Sequence, residues 1–215
     1  RVQDALTTRT NGHPHVVRVR IDLPDPVEPL AWLRAQAQEA AAYWSARNEQ
    51  AAVATLGTAD VVASTDRPLG DDHLRRELGK RLQRTGASVR YYGGLRFDAT
   101  HPEVANGLEA PWAAFGTYRF VLPRFELLSG DDGAALACNL VLPRDAGREE
   151  HLIEQIHTLA FPQEDTSVSL PPPLDRTDVP DQEGWTRMVR WALDAIDDRA
   201  LDKVVLARRV ALDLG

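Results

Sequence analysis

Lys203 is the residue in this sequence best suited to proton chemistry, and its setting is unusual. It interrupts the apolar segment Leu201-Asp202-Lys203-Val204-Val205-Leu206-Ala207-Arg208-Arg209. Of 25 cationic side chains only Lys80 and Lys203 are lysines; the rest are arginines. An arginine stays protonated in a protein, whereas a desolvated lysine can lose its proton near neutral pH. Strand alternation puts Lys203, Val205, Ala207 and Arg209 on one face, and Val204, Leu206 and Arg208 on the other. Lys203 then sits on a partly apolar face, which disfavours its ammonium form and suits a general base. The competing reading is a strand lysine whose stem packs and whose head reaches water.

The other chemistry-bearing groups have simpler readings. Gly93-Gly94 precede the strand-like Leu95-Arg96-Phe97, so a phosphate cradle would lack the helix N-terminus that supplies its donors. Close backbone packing or a strand kink fits better. His151, Glu154 and His157 share a predicted helix, but six residues put the histidines on different faces, whereas the zinc helix motif places them four apart. His13 and His15 flank Pro14 and read as solvated, and Asp131-Asp132 reads as turn chemistry. Arg75, Arg76, Lys80, Arg81 and Arg84 form a basic helix face, interrupted by Glu77 and preceded by Asp71 and Asp72; it reads as solvated surface. Cys138 is the single cysteine. It lies in an apolar run as an inert buried thiol and fits a reducing, cytoplasmic compartment. No nucleophile elbow, P-loop, dinucleotide fingerprint or CxxC pair occurs in the sequence.

The elements that must position these groups follow from periodicity and punctuation. Strands are predicted over His15–Ile21, over Tyr43–Arg47, and from Ala51 with a bend at Gly57. Pro29 opens a short helix over Leu30-Trp32-Leu33. A second helix starts at Asp71-Asp72 and ends at Gly86. Ser88–Phe97 is a strand broken at Gly93-Gly94. Tyr118–Leu128 and Ala134–Leu142 form a hairpin across Gly130-Asp131-Asp132-Gly133. A helix over Arg148–Ala160 buries Leu152, Ile153, Ile156 and Leu159. Another begins at Gly184, with Trp185, Met188, Val189, Leu193 and Ile196 on its apolar side, and leads to the Lys203 strand. The boundaries are a sheet-and-helix region at 1–161, a proline-rich connector without elements at 162–182, and a second region at 183–215. Hairpin spacing without a βαβ rhythm predicts an α+β fold with a large, mostly antiparallel sheet and peripheral helices. The net charge of −7 argues against a nucleic-acid partner. No apolar run approaches the roughly 18 residues of a membrane span, and the first residues lack a signal-peptide core.

Four stretches, taken in order, resemble the chorismate-utilising enzymes, and isochorismate synthases most of all. They are Tyr43-Trp44-Ser45-Ala46-Arg47, Gly93-Gly94-Leu95-Arg96-Phe97-Asp98, Phe120-Val121-Leu122-Pro123-Arg124-Phe125-Glu126-Leu127, and Gly184-Trp185 through Leu201-Asp202-Lys203-Val204-Val205-Leu206-Ala207-Arg208. The resemblance implies an anthranilate synthase-like fold, of which this chain carries the amino-terminal part. It implies Mg2+-dependent conversion of chorismate to isochorismate, with Lys203 matching the lysine that activates water. Ammonia-using relatives carry another residue there, which leaves salicylate synthase as the alternative product branch. Menaquinone supply is the expected outlet and siderophore supply the other. The family's acid glutamate and metal carboxylates lie downstream of the lysine strand. The resemblance therefore places no metal ligand in this chain, and implies self-association or a need for the remaining half. A catalytically silent binding or assembly module is the reading of another class.

Overall fold

The apolar runs on either side of Gly130 and Gly133 pair as predicted and frame the elements around them. The computed structural model describes residues 15–37, 40–47, 51–64, 71–83, 88–96, 115–131, 133–162 and 171–214. Strands β5 (Tyr118–Gly130) and β6 (Gly133–Leu142) form an antiparallel hairpin that closes on the pair Gly130–Gly133. Gly133 has φ +102°, a conformation glycine adopts without a Cβ penalty. Asp132 lies outside the described residues, as do His13, Arg84, Gly86, Phe97 and Asp98.

The remaining strands of this sheet are β1 (His15–Asp22), β2 (Ala41–Ser45), β3 (Ala51–Ser64) and β4 (Tyr92–Leu95). The order is β1-β6-β5-β3-β2, with β4 on β5, and every pairing is antiparallel. Helices α1 (Pro29–Arg34), α2 (Asp71–Leu82) and α3 (Glu149–His157) belong to the same unit, residues 1–165. This is the α+β, mostly antiparallel architecture that the hairpin spacing predicts.

The core follows the period of two. Ala54 and Leu56 of β3, Phe125 and Leu127 of β5, and Leu136, Cys138, Leu140 and Leu142 of β6 form one buried cluster. Trp32 of α1 and Leu152 of α3 join it. The bend predicted at Gly57 is followed at once by a bulge between Thr58 and Asp60: Leu56 pairs with Phe125 and Thr58 with Pro123, but Asp60 pairs with Leu122. Gly57 has φ +66°, and Pro123 stands opposite the irregularity, where its missing N–H costs no regular ladder bond.

Gly93-Gly94 does not break a strand; both residues lie inside β4. A Cβ on Gly93 would come within 1.9 Å of the Arg119 carbonyl oxygen on β5. The glycine is therefore required by close strand approach. Gly93→Ala is expected to prise β4 off β5 and to cost about 1–3 kcal/mol, read as a lower urea midpoint with an unchanged m-value.

Residues 166–215 make the second unit, with β7 (Asp175–Val179), α4 (Gln182–Asp197) and β8 (Arg209–Asp213). Two expectations need correction here. The connector predicted to lack elements contains β7, which pairs antiparallel with β8. Its prolines bracket the strand rather than interrupt it, and Thr177 and Val179 suit a strand. The Lys203 segment is not a paired strand. The β7–β8 ladder ends at Val179–Arg209, and the next residue on β7 is Pro180, which has no N–H to extend it. Residues 203–208 therefore have no ladder partner among the described residues.

Candidate active-site region

Helix α4 leads the chain towards Lys203. The Asp181 carboxylate caps it by accepting the Gly184 N–H at 2.8 Å, which starts the helix two residues before the predicted Gly184. A Cβ on Gly184 would meet Pro180 Cβ at 2.8 Å and Asp181 Oδ1 at 2.9 Å, so the cap demands glycine. Trp185, Met188, Val189 and Ala192 take the inward stripe. Leu193 and Ile196, predicted on that side, are exposed, because the 3.6-residue period runs from Ala192 to Ala195 instead. Trp191 and Leu193 are 59% and 57% exposed.

Lys203 follows α4 on the segment leading into β8. Burial alternates along it: Val204 and Leu206 are half-buried, while Lys203, Val205 and Ala207 are exposed, Val205 by 80%. The predicted alternation is present. The covering wall that would desolvate the amine is not supplied within this unit. Past the lysine, Arg208 reaches Asp178 of β7 at 3.6 Å, and Asp178 also accepts from Arg176 Nε at 2.9 Å. The Arg176 hydrogen bond holds the Asp178 carboxyl below the usual carboxylate range.

The first unit holds buried charges that sequence reasoning did not assign a role. Glu126 of β5 is fully buried and accepts from both terminal nitrogens of Arg18 on β1. It also accepts from Asn139 Nδ2 at 2.6 Å and from Tyr92 Oη at 3.1 Å. Burial, and then the Glu126 charge, push the Tyr92 phenol up to about 12. Beside this network, Arg124 donates to Asp145 at 2.6 and 3.1 Å. Burial opposes ionisation of Asp145, but the Arg124 bonds and the Val141 N–H outweigh it and hold the carboxyl below its ordinary range. The available signal was a polar residue inside an apolar run: Arg18 in Val-Val-Arg-Val, Glu126 in Arg-Phe-Glu-Leu-Leu, Asn139 in Ala-Cys-Asn-Leu.

These carboxylates do not suit a divalent cation. The oxygens of Glu126 and Asp145 are engaged by arginines, Asn139, Tyr92 and a backbone N–H. No three His, Cys, Asp or Glu side chains converge among the described residues. The described residues thus do not form a Mg2+ site. Among the described residues no helix is long and apolar enough to cross a membrane.

Cys138 is buried, and burial pushes its thiol up to about 11. Because the thiolate is the reactive form, a thiol reagent at mildly alkaline pH is expected to leave the native protein unmodified. Modification should appear only on denaturation; fast labelling of folded protein would place Cys138 at the surface.

The sheet and the lysine-bearing second unit define a class. Residues 2–215 match the family model described as chorismate binding enzyme, and the chain belongs to that family. Its relatives include the chloroplastic isochorismate synthase of Catharanthus roseus, 24% identical over 257 aligned residues, which cover 97% of this chain and 43% of the relative. Among solved structures it is similar to MenF, the menaquinone-specific isochorismate synthase from Escherichia coli. There the TM-score is 0.64 at 24% identity, over 98% of this chain and 44% of that one. The chain thus spans less than half the length of the relatives it matches.

Proposed function

We propose that this chain forms part of an isochorismate synthase that converts chorismate to isochorismate, with Lys203 as the general base. The observation that carries the reading is the exposed face of Lys203, Val205 and Ala207 on the segment between α4 and β8. Its residues are amine and apolar, and a covering layer would make it the dry setting a lysine base needs. The uncovered Trp191 and Leu193 on α4 support such a layer, since a helix apolar on several sides belongs inside a core.

In the proposed step the Lys203 amine takes a proton from water as the water oxygen bonds to ring carbon C2. Both ring double bonds shift, C1=C2 to C1=C6 and C5=C6 to C4=C5, and the C4–oxygen bond breaks. The departing hydroxide needs a proton from a general acid. By this reading the acid and the Mg2+ ligands come from sequence outside residues 1–215, as does the covering layer. Residues 1–161 then serve as the sheet-and-helix region, 162–182 as a connector that carries β7, and 183–215 as the opening of the catalytic region. Menaquinone supply fits the MenF likeness, and a cytoplasmic setting fits the single, buried Cys138.

The test is product analysis of the complete protein incubated with chorismate and Mg2+. Isochorismate alone is the expected product. Salicylate with released pyruvate would move the assignment to salicylate synthase. No turnover by the complete protein would sink both and favour a silent binding module.

A further inference from the structure

A cavity of about 510 Å³ opens in the first unit between the start of β1, the end of α2 and the turn after β6. That volume is typical of small-molecule sites. Its walls are apolar, formed by Val16, Val141, Pro143 and the Tyr91 ring, while Lys80, Arg81 and Arg144 bring positive charge to it. Among the described residues Asp60 is the one carboxylate that lines it. Asp60 accepts from Tyr91 Oη at 2.8 Å and from Arg81 Nε at 2.9 Å, which fixes both side chains in place. Glu77, outside the lining, pairs with Lys80 at 2.8 Å and with Arg81 at 3.0 Å. Arg144 differs. Its Nη1 lies 3.8 Å from Asp60, within ion-pair range but too far for a hydrogen bond. Its guanidinium thus has no hydrogen-bond partner among the described residues. Among the described residues the lining carries three cations, Lys80, Arg81 and Arg144, against one carboxylate, in a chain of net charge −7.

We infer that this cavity binds a small carboxylate carried on a flat or cyclic apolar body. The Arg144 fork suits a carboxylate in bidentate geometry, with Lys80 as a second, rotatable donor. The ring fills the wall of Val16, Val141, Pro143 and Tyr91, which an inorganic anion would leave empty. The inference rests on the first unit alone and does not depend on the reaction proposed for Lys203.

The test uses the complete protein and titrates benzoate by calorimetry at constant ionic strength, with benzyl alcohol and inorganic phosphate as comparison probes. Benzoate is expected to bind at one saturable site. Arg144→Ala should weaken it by at least about tenfold, and Lys80→Ala by a smaller factor. The Arg144 side chain is half exposed and makes no hydrogen bond among the described residues, so its replacement should not disturb folding. Benzyl alcohol should bind more weakly for want of charge, and phosphate for want of an apolar body. Three results would overturn the inference: no saturable benzoate binding, binding indifferent to Arg144→Ala, or benzyl alcohol or phosphate matching benzoate. Benzoate binding lost with Lys203→Ala but kept with Arg144→Ala would place the ligand elsewhere and overturn it equally.

Discussion

Lys203→Ala in the complete protein is expected to lower kcat for isochorismate formation by about 10²–10⁴-fold, the usual worth of a positioned general base. Chorismate binding, measured directly, should change little. The argument is one of role. A base that removes water's proton acts mainly in the transition state, so its loss appears in kcat and kcat/KM together. Lys203→Arg is the decisive companion. It keeps the positive charge and the stem, but a guanidinium does not deprotonate, so it should be as inactive as alanine. If Lys203 served only to attract the substrate's carboxylates, arginine would restore much of the activity. Partial rescue of Lys203→Ala by added methylamine would further mark a lost base rather than a lost shape. Near-normal kcat in the alanine variant would falsify the assignment, and activity in the arginine variant would recast Lys203 as a binding charge.

The parts of this fold that were legible in the sequence are those fixed by neighbours along the chain. Gly130 and Gly133 set the β5–β6 hairpin, and Pro29 set the start of α1, because turn and cap chemistry act within a few residues. Pairing across long separations was not legible. The partner of β1 is β6, with His15 opposite Leu142, and nothing local in either strand names the other. β7 was hidden for the same reason: its proline-bracketed segment becomes a strand only because β8 lies beside it. At the candidate site, the alternation through Lys203, Val205 and Ala207 was readable, since it is a property of the segment itself. Whether the segment is paired and covered is a property of other chain segments, and there the local pattern predicted a strand where no ladder forms. The buried charges were concealed by the same rule. Glu126 in an apolar run gives no hint that Arg18, 108 residues earlier, will neutralise it.

That pair carries the largest expected stability effect. Glu126→Ala should destabilise the first unit by about 3–5 kcal/mol, because the Arg18 guanidinium would remain buried without its counter-charge while Asn139 and Tyr92 lose an acceptor. Against a total stability of about 5–15 kcal/mol, such a loss can leave little folded protein. Glu126→Gln is therefore the measurable companion. It preserves shape and an acceptor oxygen but removes the charge, so it should lower the urea midpoint less, in the same direction. The double variant Arg18→Met with Glu126→Leu separates the possible causes. Desolvating two charges offsets much of their attraction, so replacing both by apolar groups of similar volume should recover most of the stability lost by Glu126→Ala. In a double-mutant cycle this appears as strong coupling between positions 18 and 126. If the two single losses simply add, the ion pair is not what organises this part of the sheet, and Glu126 is held by Asn139 and Tyr92 alone.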